Sequence, residues 1–275
     1  MTKLPDLTAP DAPVAERPRQ RRQRVQSAET GMVVLKGLAR LGGRTSLTAL
    51  AAHVEESPAK VHRYLASLME EGLVSQDTGS QQYYLGLQTL LLGVAAMRQV
   101  DPIRLAEPSL VRLRESLEVT CFIAVMGNKG PTIVRFEEPG LPVTVNVRVG
   151  SVLPLLWSAT GRAFLALLNE TAVREQAQAE LQAASPEQRA LLDNTDPIGR
   201  LCEEVRGAGC AAVRDTNLKG ISAVAAPLLD YTGRTCAVLT ALGATGGFDA
   251  SIEGPIASAV RSEAQAASAL LGFQP

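Results

Sequence analysis

Histidine is nearly missing from this chain: His53 and His62 are the only two among 275 residues, and both lie in the N-terminal third. Beyond them no imidazole is available, which removes Ser–His or Cys–His nucleophile activation and the common histidine-rich metal sites from most of the protein. Cysteine is equally sparse. Cys121, Cys202, Cys210 and Cys236 are scattered without a CxxC pair, so neither a disulfide framework nor a zinc finger is indicated; they read as small buried apolar residues of a reducing compartment. No glycine-rich phosphate loop precedes a helix in the required context. Adjacent acids such as Glu137 with Glu138 and Glu203 with Glu204 point in different directions on a strand or helix and look like solvated surface. No apolar run reaches the roughly 18 to 20 residues of a membrane span, and the polar, proline-rich N-terminus is unlike a secretory signal, so a cytoplasmic protein with no membrane partner is expected. The formal net charge is −1, so any affinity for nucleic acid has to be local. What remains is a receptor or binding protein that needs no cofactor and no metal, not an enzyme.

The hydrophobic content of 46% over 275 residues supports two domains, each with its own core. The densest local signal lies at residues 45 to 85. Leu47, Leu50, Ala51 and Val54 recur at helical spacing behind Ser46. Glu55 and Glu56 form a turn, and Ser57 with Pro58 supplies an N-cap and a first helical position whose missing N–H costs nothing. The second helix buries Val61, Leu65, Leu68 and Met69 and stops at Gly72. A hairpin follows, with Leu73 to Gln76 and Gln82 to Leu85 as strands and Asp77 to Ser80 as turn. Two helices around a tight turn and then a hairpin outline a winged helix-turn-helix, a shape that fits the DNA major groove. Its candidate DNA contacts are Arg44, Thr45, Ser57, Ala59, Lys60, His62, Arg63 and Ser67. The same His62, Lys60 and Arg63 also read as a solvated face, and Tyr64, Tyr83 and Tyr84 as packing residues.

An arginine-rich arm, RPRQRRQR, precedes this domain. Residues 1 to 26 are expected to be disordered, and Arg17, Arg19, Arg21, Arg22 and Arg24 read equally as phosphate or minor-groove contacts or as a solubilising tail. A helix from Glu29 to Leu41 packs Met32, Leu35 and Leu38 on the pair, giving a DNA-binding domain at 27 to 86. Linker helices occupy 87 to 118. The first presents Leu87, Leu90, Leu91, Val94 and Met97 as a broad apolar stripe that calls for a partner, a dimer interface being preferred. The second starts at Asp101 and Pro102 and carries Pro108. From Val119 to 275 the pattern turns to strands at VTCFIAVM, PTIVRFEE and VTVNVRV, the last alternating as a sheet with one covered face. Helices are expected at 158 to 168, 171 to 183, 186 to 192 and 197 to 206, with Gly207 and Gly209 as stops. Strands ISAVAAPLL and TCAVLTALG and an alanine-rich helix close the chain. This is an α+β domain with an antiparallel sheet, suited to a ligand pocket between sheet and loops.

Several motifs in this order resemble the IclR-type bacterial transcriptional regulators. They are SPAKVHRYL at 57 to 65, YYLGL from Tyr83 to Leu87, LPLLWSATGRA at 153 to 163, the stretch from Gly220 through Ala225, Ala226 and Pro227, and the strand ending at Gly243. The resemblance spans about residues 27 to 272. It implies a winged helix-turn-helix joined by a linker helix to a GAF-like effector-binding domain. It also implies a homodimer or homotetramer that represses or activates genes of carbon-source or aromatic catabolism under control of a small metabolite. The resemblance further places effector contacts at Leu156, Trp157, Ser158, Ala159, Gly161, Asp215, Ala223, Thr240 and Leu242. Ser158 to Gly161 matches the turn whose backbone receives a ligand carboxylate, and free N–H groups at a helix N-terminus do form a ready anion site.

The departures from the family pattern share a direction. Val213 and Arg214 stand where acids are usual, Ala223 where a cysteine is often found, Thr240 and Leu242 where two serines align, and Leu156 and Trp157 replace a histidine-containing turn. A larger, partly apolar or aromatic carboxylate is therefore expected, its acid at Ser158 to Gly161 and its body against Trp157, although Trp157 reads equally as ordinary core. Two rival readings stay open: a GAF-like enzyme with a reactive Cys121 or Cys202, and a module in which the helix-turn-helix mediates protein contacts only.

Overall fold

Residues 25–140 and 147–274 are described by a computed structural model. They fall into two compact units that divide between Gln99 and Val100. The arginine arm lies outside the described residues.

The first unit is built on α1 (Gln26–Arg40), α2 (Leu47–His53) and α3 (Pro58–Glu70). Their shared core holds Val34, Leu38, Leu50, Val61 and Leu65. Ser46 caps α2 by accepting the Ala49 N–H, and Ser57 caps α3 by accepting the Lys60 N–H, with Pro58 at the first helical turn. Glu55, at φ +55°, takes the left-handed turn between them. Gly72, at φ +66°, ends α3 while the Leu73 N–H returns to the Leu68 carbonyl, a closure that a residue with a side chain adopts only under strain. One expectation fails in α1. Met32 is 45% exposed and the buried position is Val34, because Gly31, Val34 and Leu38 share the face that meets α3 and Met32 falls on the opposite one.

The hairpin is present as β2 (Val74–Gln76) and β3 (Tyr83–Leu85), but the sheet has a third strand that the pattern does not show, β1 (Arg44–Thr45), paired antiparallel with β3. Two residues are too few to carry a period. Asp77 organises the turn by accepting the N–H groups of Gly79 and Ser80 and the Ser80 hydroxyl, and these bonds hold its carboxyl below the usual range. Next, α4 (Leu87–Met97) is tied to the hairpin where Thr89 Oγ1 donates to the Leu73 carbonyl at 2.7 Å. Leu87, Leu90, Leu91 and Leu92 are each more than half exposed.

In the second unit the helix expected as the second half of the linker, α5 (Pro102–Leu117), packs on the sheet, burying Ala106, Leu110 and Leu113. Asp101 caps it by accepting the Ile103 and Arg104 N–H groups, and Pro108 sits inside it. The five-stranded sheet contains β4 (Thr120–Gly127), β5 (Gly130–Glu137), β6 (Ala211–Arg214), β7 (Ile221–Leu229) and β8 (Thr235–Ala244), in the order β5-β4-β8-β7-β6 and antiparallel throughout. The edge strand β6, only four residues long, is a second element that the pattern does not show.

Both faces of this sheet are covered. Phe122, Ala124, Ala225, Val238 and Leu242 point to one side, against α6 (Ala159–Leu167), α7 (Thr171–Ala183) and α9 (Pro197–Ala208). Cys121, Ile123, Val224, Leu239 and Ala241 point to the other, against α5 and α10 (Pro255–Leu270). Burial on both faces explains why these strands read as near-continuous apolar runs. The alternating strand expected at 143 to 149 is the exception: 141 to 146 lie outside the described residues, and Val147 to Gly150 form a loop and turn. The pairing there falls later, where Gly150 and Leu153 donate to the Ile133 and Pro131 carbonyls. Between α7 and α9, α8 is a single turn, Pro186–Arg189, shorter than expected; α9 continues through Gly207 and is capped by Gly209.

Candidate nucleic-acid interface and effector cavity

All eight candidate DNA contacts lie at least partly exposed on the first unit, but they differ in how free they are. The Ser57 hydroxyl is occupied as acceptor in the α3 cap. Lys60 Nζ lies 2.6 Å from Glu56 Oε1, a same-helix-spacing pair that holds the ammonium back toward the turn. Arg44 stacks over the Tyr84 ring at 5.0 Å, with Asp77 at 3.8 Å, so the wing has a positioned guanidinium. Arg63 is exposed and its side chain bonds to nothing among the described residues. Ala59, His62, Arg63 and Ser67 share the outward face of α3, opposite the buried Val61, Leu65 and Leu68. Thr45 lies in β1 beside Arg44. Tyr83 is core, 3% exposed, whereas Tyr84 serves Arg44.

In the second unit a cavity opens where α6 begins. Of the nine expected effector residues, Ser158, Ala159, Ala223, Thr240 and Leu242 line it; Leu156, Trp157, Gly161 and Asp215 do not. Leu156 and Trp157 belong to the core, at 0% and 6% exposure, because the turn that carries them is held from behind. Glu180 of α7 accepts the Leu155 and Leu156 N–H groups at 2.8 and 2.9 Å, Arg162 Nε donates to the Leu156 carbonyl, and Thr216 Oγ1 donates to the Trp157 carbonyl. Burial pulls the Arg162 guanidinium below its ordinary range, with Glu204 opposing. Gly161 has a packing role: a Cβ there would lie 2.1 Å from the Pro154 carbonyl oxygen and 2.5 Å from Leu155 Cα. Asp215, at φ +56°, shapes the following loop by accepting the Gly220 N–H and the Thr245 hydroxyl.

The wall residues not marked by the sequence are mostly apolar: Phe122, Val147, Leu153, Leu218 and Ile221, with Asn217; Thr160, inside the expected Ser158 to Gly161 turn, and Val213, at the expected acidic position, complete the wall. Phe122 and Ile221 were visible only as strand residues, and nothing local marks them as lining. Thr160 and Thr240 face each other with their hydroxyls 2.9 Å apart and buried. At the mouth of α6 the Ser158 hydroxyl accepts the Gly161 N–H and donates to the Pro154 carbonyl. The Ala159 and Thr160 N–H groups take no partner among the described residues, and both residues line the cavity. Its volume is about 50 Å³, room for a few waters.

No cysteine and no histidine is among the residues lining this cavity. Burial raises all four thiols, Cys121 to about 12 and Cys236 to about 11, so they are protonated at neutral pH and poor attackers. Among the described residues no cluster of His, Cys, Asp and Glu could hold a metal ion, and no helix is long and apolar enough to cross a membrane.

A cavity-bearing α+β unit joined in sequence to a helix-turn-helix agrees with two family models. The bacterial transcriptional regulator IclR C-terminal domain matches residues 94–269, and the IclR helix-turn-helix domain matches residues 27–78. The chain belongs to the IclR family. Its members are transcription regulators, not enzymes, so the cysteine-enzyme alternative falls. Among relatives, the structure of HmgR from Pseudomonas aeruginosa is 40% identical and superposes with a TM-score of 0.83 over 91% of this chain and 99% of that one. The repressor AllR of Escherichia coli is 26% identical over 220 residues, 79% of this chain and 80% of AllR. The regulator BhcR of Paracoccus denitrificans is 24% identical over 223 residues, 80% of this chain and 78% of BhcR.

Proposed function

We propose that this IclR-family regulator binds its operator through the outward face of α3 and the Arg44 wing, under control of a small, partly apolar or aromatic carboxylate held in the α6 cavity. The observation that supports the effector class is the pair of unpartnered N–H groups at Ala159 and Thr160, at the positive end of α6, opening into a wall of Phe122, Leu153 and Leu242. The acid sits at those N–H groups. The apolar body rests on Phe122 and Leu242, replacing the expected seat against Trp157. Occupied small-molecule pockets measure roughly 300–1,000 Å³, so entry of such a ligand displaces the Asn217 and Leu218 part of the wall, released when Thr216 gives up the Trp157 carbonyl.

The regulator acts as a homodimer or homotetramer. The leucine surface of α4 supports this, because a contiguous apolar face of this kind is normally covered. Effector binding shifts the population between two spacings of the paired recognition helices. Half-sites on DNA lie about 34–36 Å apart per helical turn, so the spacing sets operator affinity.

Trp157 is the only tryptophan and precedes the cavity residue Ser158, so its fluorescence reports occupancy. Titration with benzoate-type acids is expected to change the emission and raise the melting temperature, while operator affinity measured by fluorescence anisotropy shifts in parallel. Clear stabilisation by glyoxylate or pyruvate with no response to any aromatic acid would overturn the effector assignment. Unchanged operator binding in the Lys60→Glu, Arg63→Glu double variant would overturn the DNA-reading assignment.

A further inference from the structure

We propose a second ligand site on the second unit, in the groove between the C-terminal end of α9 and α10, that takes an anion carrying an apolar body. The groove has a volume of about 650 Å³ and is floored by Val205, Leu229 and Phe273. That size lies within the range of small-molecule pockets. Two arginines line it and no acidic residue does.

Both guanidinium groups are held on one side by neutral acceptors. Arg206 Nε donates to the Ala166 carbonyl at 2.7 Å, and Arg261 Nη1 donates to the Ile252 carbonyl at 2.8 Å. Neither makes an ion pair among the described residues, so two positive charges with unused N–H donors border the same apolar hollow. A guanidinium already fixed in place loses little freedom on binding and offers a planar fork that matches a carboxylate, sulfonate or phosphate. A neutral apolar ligand would leave these donors unanswered.

The groove's strand edge argues against an added peptide strand. β6 pairs with β7 only as far as Ala225, and beyond that point Pro227, which has no N–H, lies on the uncovered stretch, while the Leu229 N–H is taken by Ser268 Oγ. A small amphipathic anion fits what remains. The site is separate from the α6 cavity, although β7 serves both, with Ile221 and Ala223 at one end and Ala226, Pro227 and Leu229 at the other.

The test uses 8-anilinonaphthalene-1-sulfonate on the full chain, with N-phenyl-1-naphthylamine as the same ring system without the anion. Calorimetry and fluorescence are expected to show one saturable site per chain for the sulfonate that weakens at least tenfold in Arg206→Gln. The same site is lost in Ala269→Trp, which fills the groove from an exposed position of α10, and is unchanged in Ala223→Val, whose added methyl groups take up space in the small α6 cavity. Circular dichroism melting of each variant checks the fold, and should Arg206→Gln unfold, Ala269→Trp carries the test. Equal binding of the neutral probe at that site, or sulfonate binding indifferent to groove substitutions in folded protein, overturns the proposal. Loss of binding only in Ala223→Val would assign the probe to the α6 cavity and overturn it as well.

Discussion

Adding one methyl group at Gly161 is the sharpest available test of how the effector cavity is framed. A Cβ at this position would stand 2.1 Å from the Pro154 oxygen, 2.5 Å from Leu155 Cα and 2.7 Å from the Leu155 oxygen. All three are backbone atoms, and the backbone cannot step aside, because Glu180 holds the Leu155 and Leu156 N–H groups from the far side. Overpacking of a rigid interior costs about 1–3 kcal/mol or more, and helix propensity returns up to about 1 kcal/mol of that for Gly→Ala. With a contact this short the upper part of the range applies, for a net loss of about 2–3 kcal/mol. In a unit of this size each kcal/mol moves the midpoint by about 2–4 °C, so Gly161→Ala is expected to melt about 4–12 °C lower by scanning calorimetry. Gly207→Ala is the matched control: same chemistry, also in a helix, but with nothing within 4 Å of the added Cβ. It should melt at or slightly above the wild-type temperature, by about 0.5 kcal/mol of recovered backbone entropy. A Gly161→Ala midpoint within 2 °C of wild type would refute the framing.

Other outcomes follow from the same geometry. Arg63→Ala should lower the salt slope of operator binding by about one and weaken affinity more than Lys60→Ala, since Lys60 is already engaged by Glu56; equal effects would contradict this. Thr216→Val should accelerate effector association in stopped-flow tryptophan fluorescence, and an unchanged rate would remove the Thr216 latch from the entry route. Arg112 bonded to Glu263 holds that carboxyl below its usual value. Its contribution is thus present above the unfolded carboxylate range and lost as pH falls through the folded value, and Glu263→Gln should flatten the acid side of the stability profile. All four cysteines should resist a thiol reagent at pH 7 until the protein unfolds, given Cys121 at about 12 and Cys236 at about 11; rapid native-state labelling would contradict it. If α4 carries the proposed assembly, Leu90→Glu with Leu91→Glu should lower the mass measured by light scattering toward that of a monomer while leaving the circular dichroism spectrum intact; an unchanged mass would remove α4 from the interface.

Much of the first unit was legible because its signals are local. Ser46, Ser57, Pro58 and Gly72 each act within four residues of their own position, and the helical period of Val61, Leu65 and Leu68 needs no tertiary partner to be seen. Met32 reads as a core position because apolar residues at 32 to 35 leave the period ambiguous, and only the packed neighbour decides between Met32 and Val34. In the second unit, β1-like brevity hid β6, and the covered second face of the sheet is a tertiary fact. The cavity was half legible. Ser158 and Ala159 are set by a cap motif, but Phe122, Leu153 and Ile221 come from three elements distant in sequence and meet only in the fold. The resemblance puts Trp157 at the ligand through its place in the Pro154 to Ser158 turn, whereas Glu180, 24 residues from Leu156, turns that segment inward with no local sign of doing so.

The Glu180 clamp and the bare Gly161 divide the labour around the cavity. Position of the α6 donors is set by the close backbone contacts of Gly161, by the Glu180 carboxylate and by the Arg162 and Thr216 bonds to the Leu156 and Trp157 carbonyls, while most of the apolar wall is supplied by side chains from other segments. Ala223, Leu153 and Leu242 can therefore be exchanged without moving Ala159 or Thr160. For engineering, that makes the site a fixed socket with replaceable walls. On the proposed function, a library of apolar residues at those three positions should retune which ligand is sensed while the α6 donors stay in place; because Leu153 and Leu242 are also core residues, size-matched substitutions are the ones expected to keep the fold.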